Sequence, residues 1–332
     1  MAGRSAGASA EREPGRAPSS VTVSERHKQI RAIDWLLDSD PSIRWQAIRD
    51  LAGEPDAVVA RERSRVATEG WGARLLALQG TDGHWGGAAF VPRAWISTKD
   101  TLQLLRDFGV DPASDGVRTA IARVRDRCTW GKEFGDSPFF EGEIEPCING
   151  RVLAIGAYFG EASDRLADRL LGEQLSDGGW NCDAPPSRRS SFNSTICVLE
   201  GLLEYEKAKG PRSDVAAARR RGQEYLLERR LLRSLSTGQI VKPEWTQISF
   251  PTRWHYDILW GLDYLRRAGV EPDARMQEAI DLVAAKRDAH GRWPLENPHP
   301  GPVHFELEGA AGEPSRWNTL RALTVLRWAK RE

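Results

Sequence analysis

Five segments of this chain are apolar nearly all round in their middles. They read "STKDTLQLLRDFG", "PCINGRVLAIGAYFG", "SSFNSTICVLEGLLEYEK", "RWHYDILWGLDYLRRAG" and "EPSRWNTLRALTVLRWAK". A helix of that kind is buried on both sides. Several open on Ser, Thr or Pro, as helix N-termini do. Two close on Gly followed by Val, a typical C-terminal stop. Between them lie more charged, one-faced segments such as "DVAAARRRGQEYLLERRLLRSL". That pattern suits helices with one face in water, and the arginine run from Arg219 to Arg221 reads as a solvated face. Strand alternation is absent, which excludes an α/β reading.

The loops repeat. "QGTDGHW" (Gln79 to Trp85) and "QLSDGGW" (Gln174 to Trp180) share the form Gln, three residues, Gly, one residue, Trp. "RDAHGRW" (Arg287 to Trp293) is a third copy with Arg in the Gln position. Gaps of 95 and 113 residues between the tryptophans equal about two repeats each for a unit of about 50 residues. Midway in each gap lies a Trp-bearing loop that has lost the form: "CTWGKEFGDSPFFEGEIEP" and "STGQIVKPEWTQISFP". The unit is therefore outer helix, loop, inner helix. Five or six units predict a ring of helical hairpins, an all-α α/α toroid. Residues Arg31 to Leu51, with helices around Ala57 to Leu78, are expected to supply the remaining pair. Residues 1–26, small, polar and proline-containing, read as a disordered tail, and 27–332 as one toroid domain.

In such a ring the inner helices point one way. Their N-termini gather at one mouth, where pooled helix dipoles favour anions or thiolates. The turn tryptophans Trp85, Trp180 and Trp293 should staple loop to outer helix, with the Gln side chain bonding a neighbouring helix end. Composition narrows the chemistry. Forty-seven basic residues balance forty-seven acidic ones, so nothing points to a nucleic-acid groove. Four cysteines among 332 residues are not a disulfide scaffold and suit a reduced, cytoplasmic setting. No apolar run has the length of a spanning helix, and the N-terminus lacks the apolar stretch of a secretory signal.

The Gln–Trp turns resemble the QW motif of squalene and hopene cyclases, whose toroid is shared by the β subunits of protein prenyltransferases. "WLLDSDPSIRW", "SFPTRWHYD" and "EPSRWNTLRALTVLRW" are similar to stretches of short bacterial proteins described as squalene-cyclase-like or prenyltransferase-like. The resemblance spans about residues 28–330. It implies the toroid and a hydrophobic, isoprenoid-type small-molecule substrate in the central cavity. The Asp-x-Asp-Asp motif with which those cyclases protonate a double bond is missing, so cyclisation by that route is not expected. Prenyltransferases hold zinc with an acid-x-Cys pair opening one inner helix and a His on a later one. Here "EPC" gives Glu145 and Cys147, but Asn193 and Ser194 stand where the His is wanted.

The expected zinc site is therefore Cys147, Cys182 and His255, donors that zinc prefers, with Glu145 or Asp183 as a fourth ligand or an open position. Asp257, beside His255, is the candidate to orient its imidazole, and Asp257, Glu145 and Asp183 are the candidate catalytic acids. Trp95, Asn149, Phe192, Asn193, Trp254, Tyr256, Arg316 and Trp317 are the candidate substrate-binding residues. Cys128 and Cys197 read as packing. His299 and His304 lie in a long loop able to fold over the mouth. Two other readings remain open at this level. One is a carbohydrate-active toroid using two carboxylates from Glu145, Asp183, Asp257 and Glu306. The other is a non-catalytic ligand-binding ring.

Overall fold

The computed structural model describes residues 23–331. Residues 1–22, most of the expected tail, lie outside it. The described chain is helical apart from one two-residue strand pair, β1 (Trp293–Pro294) with β2 (Pro314–Ser315). Six hairpins follow one another, each an outer helix and then an inner one. They are α1 (Val23–Leu37) with α2 (Pro41–Ala47), and α4 (Gly70–Ala77) with α5 (Thr98–Phe108). Next come α6 (Asp115–Arg127) with α7 (Pro146–Phe159), and α8 (Asp164–Gly172) with α9 (Phe192–Lys209). The last are α10 (Ser213–Glu228) with α11 (Ile258–Arg267), and α12 (Gln277–Ala285) with α13 (Arg316–Trp328). The extra helix α3 (Asp56–Ser64) packs on α2.

The inner helices close on themselves. Helices α5, α7, α9, α11 and α13 pack in sequence, and α13 packs on α2. The Trp45 indole of α2 donates to the Phe108 carbonyl at the end of α5, at 2.8 Å. On the other side Arg327 of α13 donates to the carbonyls of Asp50 and Leu51, at 2.8 and 2.9 Å. The architecture is thus the α/α toroid that the periodicity predicts. One pairing differs. Arg31 to Leu51 is itself a hairpin, because Asp40 caps the next helix through the Ser42 amide and Pro41 opens it. The later helix α4 belongs to α5.

The three Gln–Trp turns are built alike. The indoles of Trp85, Trp180 and Trp293 each donate at 2.7 Å to the last turn of their own outer helix, at Leu75, Leu170 and Val283. Their amides donate to Thr98, Thr195 and Thr319 in the first turn or two of the inner helix. Each Trp therefore staples a hairpin from within. The Gln side chains reach across to the next unit, Gln79 to the Ala120 carbonyl and Gln174 to that of Ala218. These carbonyls lie within α6 and α10 rather than at a helix end. The turn glycines explain the fixed Gly. Gly83 (φ +90°) lies so near the Arg123 carbonyl of α6 that a Cβ would sit 2.8 Å from it. Gly291 (φ +82°) meets the Lys28 carbonyl of α1 in the same way. The last turn thus docks on the first helix, and the outer wall closes too.

Candidate functional site

The N-terminal mouth holds a cavity of about 730 Å³ lined by Phe90, Trp95, Trp245, Trp254, His255 and His299, among others. Two loops build it. The segment from Ser249 to Tyr256 enters the ring ahead of α11. Arg253 takes a positive φ of 54°, which no helix allows. The helix starts only at Ile258, with Asp257 as its N-cap through the Trp260 amide, at 2.7 Å. The sequence reading placed that start near Trp254, four residues early. The loop carrying His299 and His304 covers the mouth. Its Pro300 carbonyl accepts from the Trp95 indole at 3.0 Å, and His304 Nε2 lies 2.9 Å from Thr101 Oγ1.

The His255 ring is stacked between Trp254 (4.1 Å) and His299 (4.0 Å). Burial lowers the pKa of both histidines, that of His299 to about 3, with the charges of His255 and Arg253 adding to it. Both imidazoles are neutral at pH 7. His299 Nε2 lies 3.2 Å from Ser249 Oγ. Arg253 sits over the Trp95 ring at 5.1 Å, and burial lowers its pKa to about 10.

Beside this chamber, Glu145, Cys147 and Cys182 bring one ligand atom each to within 4.8 Å of one another. Cys147 Sγ is 3.6 Å from Glu145 Oε2, and Cys182 Sγ is 3.2 Å from Ser194 Oγ. The two thiols shift in opposite directions. The hydrogen bond from Cys147 pulls the Cys182 pKa down, and the same bond, with burial, pushes Cys147 up. Cys147 lies in the first turn of α7, and Cys182, in the connector from outer wall to mouth, is tied by its amide to Ser194 in the first turn of α9. Ser194 is adjacent to Asn193, which lines the chamber. The cluster and the chamber therefore meet at the first turn of α9.

The structure divides the sequence-derived candidates. Cys147 and Cys182 come together with Glu145, but His255 is not part of that group. It sits in the loop ahead of α11, held in the ring stack, rather than on the helix. Asp183 is exposed, in a turn closed by the Ser187 amide on its carbonyl. Asp257 is buried as a helix cap, and burial raises its pKa to about 6; it accepts from backbone amides and does not orient His255. Asn149 has both ends of its amide engaged by the Glu143 backbone. Trp95, Asn193, Trp254 and Tyr256 line the chamber. Phe192 lies behind it, packed on Trp245 (4.5 Å) and Tyr256 (5.2 Å). Arg316 stacks on Trp35 at 4.8 Å. Ser249 and Trp245 went unnoticed in the sequence; the Trp within the degenerate loop was the available signal.

Trp317 was expected at the same mouth, but it lines a second cavity of about 510 Å³ that opens among the C-terminal halves of the inner helices. Its hub is Glu200 of α9, which accepts from Arg151 (2.7 Å) and Arg267 (2.8 Å), with Arg106 at 3.6 Å. Burial opposes ionisation there, yet these three guanidiniums hold the carboxyl well below its usual range. Arg151 also donates to the Arg253 carbonyl at 2.8 Å, and Arg321 to that of Ser249 at 3.1 Å. The Ser249–Arg253 segment is thus the partition between the two chambers.

No protein-family model and no curated protein matches the chain. Solved structures do resemble it. A protein from Actinoplanes is 16% identical, over 92% of this chain and 99% of that one, with a TM-score of 0.45. The type II terpene cyclase MstE from Scytonema is 17% identical, over 91% and 97%, with a TM-score of 0.46. A variant of that enzyme in complex with geranylgeranyl dihydroxybenzoate, its substrate, is 16% identical, over 93% and 97%, with a TM-score of 0.44. Among the described residues no helix is long and apolar enough to cross a membrane.

Proposed function

We propose that the protein is an enzyme that takes a hydrophobic, isoprenoid-type molecule into the aromatic chamber, beside a zinc ion held by Glu145, Cys147 and Cys182. The observation that carries this reading is the pairing itself: two thiols and a carboxylate within 4.8 Å, bordering an aromatic cavity of about 730 Å³. The donor set fits zinc. Zn–S bonds of about 2.3 Å and Zn–O bonds of about 2.0–2.2 Å place ligand atoms on the order of 3.5 Å apart in a tetrahedron. Cys147 Sγ and Glu145 Oε2 stand 3.6 Å apart. Cys182 is already the thiol more ready to ionise. Three protein ligands leave one position open, the arrangement of catalytic sites.

Zinc bound there would activate a thiol-, hydroxyl- or water-derived nucleophile. The chain's own residues do the rest. Trp95, Trp245, Trp254 and Phe90 offer ring faces that hold an isoprenoid chain, exclude water and suit a developing cation. His255 and His299 add no positive charge to that wall. Ser249 Oγ stands 3.2 Å from His299 Nε2 and donates to it when the tautomer leaves Nε2 bare. Elemental analysis of protein purified without chelators is expected to find about one zinc per chain, falling to near zero in Cys182→Ser. Less than about 0.2 zinc per chain in the unaltered protein would sink the metal. Binding of a geranylgeraniol probe that is unaffected by Trp254→Ala would remove the chamber from the reading.

A further inference from the structure

We infer that the C-terminal chamber is a second ligand site, for a small organic anion that presents a carboxylate or phosphate group to Arg106, Arg321 and the Trp317 indole. The charge around it is unequal. Eight cationic side chains line this cavity against five carboxylates. Most of the cations are matched: Arg49 with Asp50, Arg266 with Asp263, Lys207 with Glu204, and Arg151 and Arg267 with Glu200. Arg63 and Arg321 have no carboxylate within ion-pair distance among the described residues. Arg63 donates to the Gly109 carbonyl and the Tyr158 hydroxyl, and Arg321 to the Ser249 carbonyl.

Three buried donors at this wall are also unanswered, Arg151 Nε among them. Trp317 is 2% exposed and Arg106 6%, and neither Trp317 Nε1 nor Arg106 Nη1 has a hydrogen-bond partner. Arg106 Nη1 has only distant carboxylates, Glu200 at 3.6 Å and Asp107 at 3.7 Å. A buried donor without an acceptor costs free energy comparable to a lost hydrogen bond. Native interiors rarely leave one unmet, and here three belong to side chains lining one cavity with cations in excess. Guanidinium forks and an indole N–H seek acceptors, and a carboxylate or phosphate is the kind of acceptor that satisfies them. The faces of Trp45 and Trp260 are already covered by Arg49 (4.5 Å) and Arg151 (4.1 Å). What the walls leave over is therefore charge and N–H donors rather than bare aromatic surface. The mouth chamber presents mainly ring faces and neutral imidazoles, with Arg93, Lys242 and Glu244 also on its lining, so the two cavities differ in what they offer a ligand. This site does not rest on the zinc reading.

The test titrates the full chain by calorimetry with two probes, inorganic diphosphate and benzoate, which separate a phosphate headgroup from a carboxylate. At least one is expected to bind one-to-one, with a dissociation constant of about 1 mM or tighter. Trp317→Phe removes the N–H and shrinks the buried indole to a phenyl ring; Arg321→Gln removes a partly buried cation. Each is expected to weaken binding about tenfold, the loss typical of a charge-assisted hydrogen bond. Trp254→Ala, in the other chamber, should leave the titration unchanged. Thermal melts of the variants confirm that they fold. No binding of either probe up to about 10 mM overturns the inference, as does binding that neither Trp317→Phe nor Arg321→Gln weakens.

Discussion

The two ends of the ring are opposites. The N-terminal mouth is walled by tryptophans and neutral histidines, with the thiols at its edge. The C-terminal chamber is a lattice of arginines and acids centred on Glu200 and Glu204. Helix geometry accounts for part of the contrast. Inner-helix carbonyls converge on the C-terminal end, and arginines answer them there: Arg63 at Gly109, Arg327 at Asp50 and Leu51. At the other end, Ser97, Ser191, Asp257 and Ser315 cap their helices from within, so the mouth needs no counter-charge and is free to be apolar. The ion-pair network lies at one end, and the more apolar chamber lies at the other.

That division can be broken experimentally. The largest effect is expected from Glu200→Ala, which strands the buried Arg151 guanidinium and leaves Arg106 and Arg267 to lean on Glu204. A loss of about 3–5 kcal/mol in urea unfolding is expected, as for other buried pairs deprived of one partner. An unaltered midpoint would show that the hub holds nothing together. Trp180→Phe should cost about 2 kcal/mol, because the Leu170 carbonyl loses its indole donor and a fully buried indole gives way to a smaller ring. Trp254→Ala, at 46% exposure in the mouth, should move the same midpoint by less than about 0.5 kcal/mol.

Acid should separate the ends next. Glu200 and Glu204 titrate below their ordinary 4.5 in the fold, Glu204 at about 2 because Arg106 and Arg267 outweigh burial. Folding thus leaves them with fewer protons than the unfolded chain, and their contribution, complete above 4.5, is lost as pH falls toward 2. His299 works in a higher window. It is neutral in the fold down to about pH 3 but protonates near 6.5 when unfolded, so stability drains from 6.5 downward. His299→Gln should flatten the stability profile between about pH 6.5 and 4.5 and leave the steeper loss below it. A profile identical to that of the unaltered chain would place His299 in water. A modest effect, between those of Trp180→Phe and Trp254→Ala, is expected from Gln174→Ala, about 1 kcal/mol for the side-chain bonds to Gly178, Ala218 and Arg221 at the edge of a turn.

Much of this was legible in the sequence because repeats expose it. Three turns with one spacing identified the staple, and all-round apolar segments identified the inner wall. Cys147 and Cys182 were placed together because both lie on the path into helix N-termini. The failures have local causes. "DSDP" is a cap followed by a proline, a helix boundary hidden inside what read as one amphipathic stretch. Trp254 and His255 were read as helix because nothing in their spacing betrays the left-handed Arg253. The C-terminal chamber was invisible for another reason. Arg106, Arg151, Glu200 and Arg267 come from four different helices, and only the closing of the ring makes them neighbours.

The docking of Gly291 on α1 has a consequence for how the molecule comes apart. An open solenoid has two terminal repeats, each needing a polar cap, and can peel inward from either one. Here the final turn treats α1 as Gly83's turn treats α6, and α13 rests on α2. Every hairpin has a neighbour on both sides, so no flank is spared and none is the natural place to start fraying. Opening the seam would bare two apolar walls at once. The ring should therefore melt as a single cooperative body, and hydrogen exchange in α2 and α13 should be as slow as in α7 and α9 on the far side.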